Sequence, residues 1–288
     1  MTRSTCDPVV VAAGRRHSVG VRDDGTVVAA GRPGSPECAV DEWRKVVSVA
    51  AGTVHAARNT GRSHTVALRA DGTVAAVGWN GDGQCDVAAW SGVVSIAAGW
   101  RRTLGVLGDG TVTAVGRTNE GACEVGGWRE IVAVAAGDWH SVGLRSGGTV
   151  VATGNTLRGQ CKVARWQRVR SVSAGYLHTV AVTEDGLVLA AGDTGSGVAE
   201  VGRWRDIIAV AAGSRHTLGV DDRGRVLAAG DNTRGQCDVD AWRDVVAVAA
   251  GAEHSLGLRA DGTVLFAGSN ADGQGSVGEW RLGSGGGC

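Results

Sequence analysis

Residues 132–144 read VAVAAGDWHSVGL. Much of that string returns as SVSAGYLHTVAV at 171–182, AVAAGSRHTLGV at 209–220 and AVAAGAEHSLGL at 247–258. Each copy has an apolar run rich in valine, a glycine, two residues that change every time, a histidine, a serine or threonine, and a short alternating run. The glycines that end the first run are Gly14, Gly52, Gly99, Gly137, Gly175, Gly213 and Gly251, spaced by 38, 47, 38, 38, 38 and 38 residues. Trp43, Trp90, Trp128, Trp166, Trp204, Trp242 and Trp280 keep the same spacing. A fixed period of this size is the mark of a repeat architecture, so the chain divides into seven units of 38 residues, the second carrying nine more.

Within a unit, Gly-x-x-His leads to an alternating run such as His254-Ser-Leu-Gly-Leu258 and then to Asp261-Gly262, a strong hairpin signal. A third run, Thr263 to Gly268, and a polar stretch precede the next tryptophan. The pattern gives three firm strands per unit and room for a short fourth before the tryptophan. No segment carries a helical period. Small antiparallel sheets repeated seven times fit an all-β, seven-bladed β-propeller over residues 1–282, with the periodic tryptophans packed between blades. Residues 283–288, GSGGGC, read as a flexible tail or engineered linker.

These motifs resemble the regulator of chromosome condensation (RCC1) family: Gly-x-x-His-[Ser/Thr], Asp-Gly-Thr-Val, Ala-x-Gly-x-Asn and Gly-Gln, over roughly residues 8–280. The short blade is similar to the bacterial branch, which includes a secreted propeller that inhibits β-lactamases. That resemblance implies a non-enzymatic propeller that covers a target with loop aromatics on one face. Gly137-Asp-Trp139-His-Ser141 matches the family's Gly-x-Trp-His-Ser turn, and Gly99-Trp100 matches it in part. The family's nucleotide-exchange factor works through a β-wedge, for which only the insertion at 55–63 is a candidate here.

Bulk composition narrows the partners. Lys+Arg and Asp+Glu are both 29, so the chain lacks the basic footprint of a nucleic-acid or anionic-membrane binder. It holds no 18-residue apolar run that would span a bilayer. Five cysteines (Cys38, Cys85, Cys123, Cys161, Cys237) sit five residues before a periodic tryptophan, where the other units have Ala199 and Gly275. Such positions, one blade apart, lie beyond disulfide reach, so these are expected to be single buried thiols. Cys6 sits in a truncated copy of the same element, and Cys288 lies in the tail. Free thiols favour a cytoplasmic protein, and a monomer is expected.

Six histidines (His17, His64, His140, His178, His216, His254) share one register, which holds Arg102 in unit three; His55 lies in the insertion. Zinc needs its ligands about 2 Å from one ion, which residues one blade apart do not reach. Each histidine is therefore expected to fix its own turn through backbone hydrogen bonds, and neither a metal nor a cofactor is expected. His55 is expected to be exposed. No P-loop, Gly-x-Ser-x-Gly or His-Glu-x-x-His occurs.

The variable pairs and the loops after the third strand fall on one end of the propeller. Three tryptophans outside the periodic register (Trp79, Trp100, Trp139) and the single tyrosine, Tyr176, all occupy these slots. Tryptophan, tyrosine and arginine are enriched at binding hot spots. The expected binding face comprises Trp79, Trp100, Trp139, Tyr176 and Leu177, with Arg15, Arg16, Arg101 and Arg215 around them and His55, Arg58 and Arg62 from the insertion. These aromatics are expected to be exposed. An unidentified protein partner is the first reading. A protein inhibitor of a β-lactamase or other hydrolase, and a carbohydrate or small-ligand propeller stacking its ligand on Trp79 and Trp139, stay open beside it.

Overall fold

The computed structural model describes residues 9–53, 55, 62–193, 195 and 197–283; Arg58, Cys6 and Cys288 fall outside these. The described chain forms seven three-stranded antiparallel sheets, each built from consecutive strands. Blade 4 is representative, with strands Ile131–Ala136, His140–Arg145 and Val150–Gly154. The first strands of neighbouring blades adjoin one another around a complete ring, and blade 7 meets blade 1. They therefore line the axis, and the third strands lie outermost.

The short fourth strand for which the pattern leaves room does not form among the described residues. The polar stretch before each tryptophan forms successive turns instead, with one 3-10 turn at Pro36–Cys38. Each tryptophan then lies on the middle strand of the next blade. A Cβ added at Gly105 would stand 2.7 Å from the Trp90 ring, and one at Gly143 would stand 2.8 Å from Trp128. The alternating run therefore carries glycine or alanine where the indole rests. Trp280 repeats this contact against Gly20 of blade 1, and the Gly283 amide donates to the Val21 carbonyl at 3.0 Å.

The histidines join blades and do not fix only their own turns. His17, His64, His140, His178, His216 and His254 each place Nε2 at 2.7–3.1 Å from a hydroxyl of the next blade. Those hydroxyls (Thr65, Thr103, Thr179, Thr217, Ser255, Ser18) donate at 2.7–2.8 Å to a main-chain carbonyl of the loop leaving the histidine's own blade. A hydroxyl has one proton, so it must accept from the imidazole. Each ring is thus the neutral Nε2–H tautomer. Burial holds these histidines at about 3 to 4, far below the usual 6.5. The relay from His254 to Ser18 and on to the Gln274 carbonyl closes the ring between blades 7 and 1.

Arg102 replaces histidine in blade 3 and completes the relay. Its Nε donates to Ser141 Oγ at 3.0 Å, and Ser141 donates to the Ala122 carbonyl at 2.7 Å. Its longer side chain also reaches the carbonyls of Gly137 at 2.6 Å, Asp138 at 2.9 Å and His140. Burial lowers its basicity to about 10. Arg102 thereby clamps the 137–140 turn of blade 4 from beneath.

The five cysteines within the described residues are free and half-buried. Burial is the main cause that raises their thiols, to about 11 for Cys85, Cys161 and Cys237. No helix among the described residues is long and apolar enough to cross a membrane.

Candidate interaction face

The two variable residues of Gly-x-x-His divide by position. The first slot holds Arg15, Thr53, Trp100, Asp138, Tyr176, Ser214 and Ala252, and all but half-buried Tyr176 are buried. The second slot points outward: Arg16 and Arg215 are exposed, and Arg101, Trp139, Leu177 and Glu253 are half-buried. Backbone bonds between neighbouring turns accompany this division in five of the seven turns. The first-slot amides of Trp100, Asp138, Tyr176, Ser214 and Ala252 donate to the glycine carbonyl of the next turn at 3.1–3.4 Å. If neighbouring turns stand about 5.5 Å apart, as hydrogen-bonded strands do, a seven-membered ring has a radius of about 6 Å. First-slot side chains are thus crowded towards the axis. The glycine itself is required: a Cβ on Gly137 would fall 2.2 Å from the Gly175 carbonyl and 2.7 Å from the His140 ring.

Exposure therefore departs from the sequence reading. Trp100 is only 7 % exposed and Arg15 only 6 %. Trp79, Trp139, Tyr176 and Leu177 are half-buried. His55, expected to be exposed, has a side chain only 13 % accessible.

The structure brings most of the predicted residues together. His55 stacks on Tyr176 with centroids 4.4 Å apart, and Trp100 meets Trp139 edge to face at 4.5 Å. Arg101 lies 4.6 Å over both Trp79 and Trp100, Arg117 lies 5.2 Å over Trp100, and Arg62 lies 5.9 Å from Trp79. Arg101 and Arg117 also pair with Asp82 at 3.3 Å and Glu120 at 2.5 Å. A continuous ladder of guanidinium and indole groups thus crosses blades 2 to 4. Arg16 stands apart from this ladder and pairs with Asp272 of blade 7 at 3.4 Å.

Beside the ladder, a cleft of about 320 Å³ between blades 5 and 6 is lined by Arg158, Tyr176, Leu177, Asp193 and Arg215 among others. A second cleft of about 470 Å³ follows between blades 6 and 7, with Arg215, Asp231, Arg234 and Glu253 in its wall. Leu157, next to Arg158, is 87 % exposed. Sequence reasoning missed Leu157, Arg158, Arg117 and Asp138 as site residues. A signal for Leu157 was present: the corresponding loop positions hold Gly34, Gly81, Asn119, Gly195, Thr233 and Ala271. Among the described residues, no group of three or more His, Cys, Asp or Glu side chains is placed to hold a metal ion.

The model of the regulator of chromosome condensation (RCC1) repeat matches residues 59–84, 131–160, 169–197, 207–236 and 245–274, together half of the chain. The chain belongs to the RCC1-repeat family. The matched RCC1 segments fall in blades 2, 4, 5, 6 and 7, and the unmatched blades 1 and 3 keep the same three strands and the same relay.

Among solved structures, the RCC1-type propeller Prp20p of Saccharomyces cerevisiae aligns over 98 % of this chain and 87 % of its own, at 16 % identity and a TM-score of 0.67. Human WBSCR16 aligns over 90 % and 86 % at 16 % identity, with a TM-score of 0.65. The CRINKLY WD40 ectodomain of the Arabidopsis thaliana receptor kinase ACR4 aligns over 77 % and 85 % at 21 % identity, with a TM-score of 0.62. At these identities the likeness is one of fold. No curated protein matches the chain significantly by sequence.

Proposed function

We propose that this RCC1-repeat chain is a non-enzymatic scaffold that binds a partner protein through the face carrying the Gly-x-x-His turns. The observation that carries this reading is the concentration of non-repeating chemistry on that face. The guanidinium–indole ladder, Leu157 and the Arg158/Arg215 cleft occur there against a frame that repeats seven times. Function on a rigid scaffold resides in such loops. Arginine beside tryptophan and tyrosine is the composition of a binding hot spot. The structurally similar Prp20p binds Gsp1p and histones, which supports a propeller of this kind serving protein recognition. Arg62 and Arg101 lie over Trp79, and a sugar stacking on that ring would have to displace them. This favours a protein over a carbohydrate ligand.

The test compares three immobilised chains: the parent, a Leu157→Asp/Arg158→Ala/Arg215→Ala variant, and a control altered on the opposite Asp-Gly face at Asp109 and Asp261. The expected result is a protein retained by the parent and the control and lost from the triple variant. Identical retention by all three, or loss only from the control, overturns the assignment of this face.

A further inference from the structure

Asp138 is only 1 % exposed. A carboxylate removed from water is costly unless a cation or several donors meet it. Its Oδ2 accepts from the His55 backbone amide and stands 2.9 Å from His55 Nδ1. Its Oδ1 is buried without a hydrogen-bond partner, as is Trp100 Nε1.

The His55 ring is enclosed by aromatics. It stacks on Tyr176 at 23°, meets Trp100 edge-on at 5.9 Å and lies 6.4 Å from Trp139. A flat nitrogen ring is thus held among three aromatic side chains, with a carboxylate at its end. Aromatic faces around a point of negative charge are how proteins recognise organic cations. The walls and carboxylate come from the turns of blades 3, 4 and 5, whereas the ring comes from the nine-residue insertion of blade 2, the one departure from the 38-residue period.

The neighbouring cations leave the carboxylate open. Arg102 lies beneath it, but its bonds go to main-chain carbonyls and Ser141. Arg101 and Arg117 pair with Asp82 and Glu120. Arg15 feels the Asp138 charge as the weakest of several influences.

We propose that Asp138, Trp100, Trp139 and Tyr176 form a recognition site for a guanidinium group, and that His55 occupies it as an internal stand-in. The imidazole engages one carboxylate oxygen. A guanidinium has the same flatness for stacking on Tyr176, and its fork of donors also engages Oδ1. The natural occupant is then an arginine side chain that displaces His55. The site is tested with small molecules and no partner, so its failure and the failure of the interaction reading are separate results.

The first experiment uses the unaltered chain and diethylpyrocarbonate, with modification at His55 followed by peptide mass spectrometry. The six relay histidines are at most 1 % exposed, so His55 is the histidine of the described chain that the reagent reaches. Methylguanidinium should accelerate His55 modification by about 3-fold or more, whereas methylurea, flat but neutral, should leave it unchanged, because the preference rests on charge. The second experiment titrates His55→Ala by tryptophan fluorescence at constant ionic strength. Methylguanidinium should bind saturably and about 10-fold more tightly than in the parent, and His55→Ala/Asp138→Asn should lose about 10-fold of that affinity. No acceleration in the parent, or equal effects of methylguanidinium and methylurea, overturns the site. Undiminished binding in the Asp138→Asn double variant removes the carboxylate's role and overturns it equally.

Discussion

Acidification should dismantle the propeller well above the pH at which carboxylates titrate. The six relay histidines are neutral because each Nε2–H donates to a hydroxyl and burial disfavours the charged ring, holding them at about 3 to 4 against 6.5 when unfolded. A base whose folded pKa is depressed contributes stability that is fully present above the unfolded value and is lost as pH falls towards the folded one. The window therefore runs from about pH 6.5 down to about pH 3 to 4. At pH 5.5 the unfolded chain has protonated most of each imidazole and the folded chain almost none. The difference is about 1.4 kcal/mol per histidine, one pKa unit's worth. Six such groups withdraw about 8 kcal/mol, against a usual total of about 5–15 kcal/mol.

The slope carries the same information without an absolute stability. Unfolding near pH 5.5 should take up between five and six protons from this ring, so stability should fall by about 7 kcal/mol per pH unit. Urea unfolding at several pH values between 7.5 and 5.5, followed by tryptophan fluorescence and circular dichroism, measures it. His140→Gln keeps an N–H donor but does not titrate, and should reduce the uptake by about one proton. A chain that stays fully native at pH 4, or a slope below about two protons, would refute the neutral-relay account.

Three further predictions follow from packing and hydrogen bonding. Arg102→Ala leaves the Asp138 carbonyl without its donor, removes one of two donors to the carbonyls of Gly137 and His140 and breaks the bond to Ser141, and should cost about 3 kcal/mol or more, measured by urea denaturation. Arg102→His restores the relay found in the other blades and should cost clearly less. At Gly143, valine would press on Trp128 and should cost about 3 kcal/mol, whereas alanine, already present as Ala67 and Ala181 in the matching position, should cost about 1 kcal/mol; thermal melts of the two variants decide it. In the turn of blade 6, Arg215→Ala should leave stability within about 0.5 kcal/mol of the parent. Ser214→Leu, one residue earlier but facing the crowded axis, should cost about 2 kcal/mol. Equal effects from the last two would contradict the division between the slots.

Much of the blade was legible because its signals are local. The glycine and tryptophan spacing, the Asp-Gly turns and the alternating runs each act within a few residues, and together they admit a closed ring of small sheets. The room left for a short fourth strand is not used because the residues before the tryptophans satisfy backbone groups in turns: Cys85 N, for example, donates to Asn80 Oδ1. The histidine's partner was not legible for a different reason. Histidine and the hydroxyl that follows it are adjacent in every unit, but the bond runs from the histidine of one unit to the hydroxyl of the next, usually 39 residues away. Adjacency in the repeat hid a contact between repeats.

The same limit explains the site. Placing Trp100, Trp139 and Tyr176 on one face follows from topology, and the structure agrees. Calling them exposed assumed that a turn residue outside the periodic register faces water. A seven-membered ring of turns does not allow that for both variable positions, because its first position faces the crowded axis, and in five turns its amide is bonded to the next glycine carbonyl. His55 joins Asp138 from 83 residues away, and no spacing in the repeat announces it. The variable pair therefore serves two ends. Its first residue sets what fills the mouth of the ring, and its second sets what the ring presents. An aromatic in the first position, Trp100 or Tyr176, stabilises the mouth and walls the site that His55 fills, so it reaches only what enters that site. A contact residue is more securely sought in the second position and in the loop after the third strand, where Leu157, Arg158 and Arg215 stand.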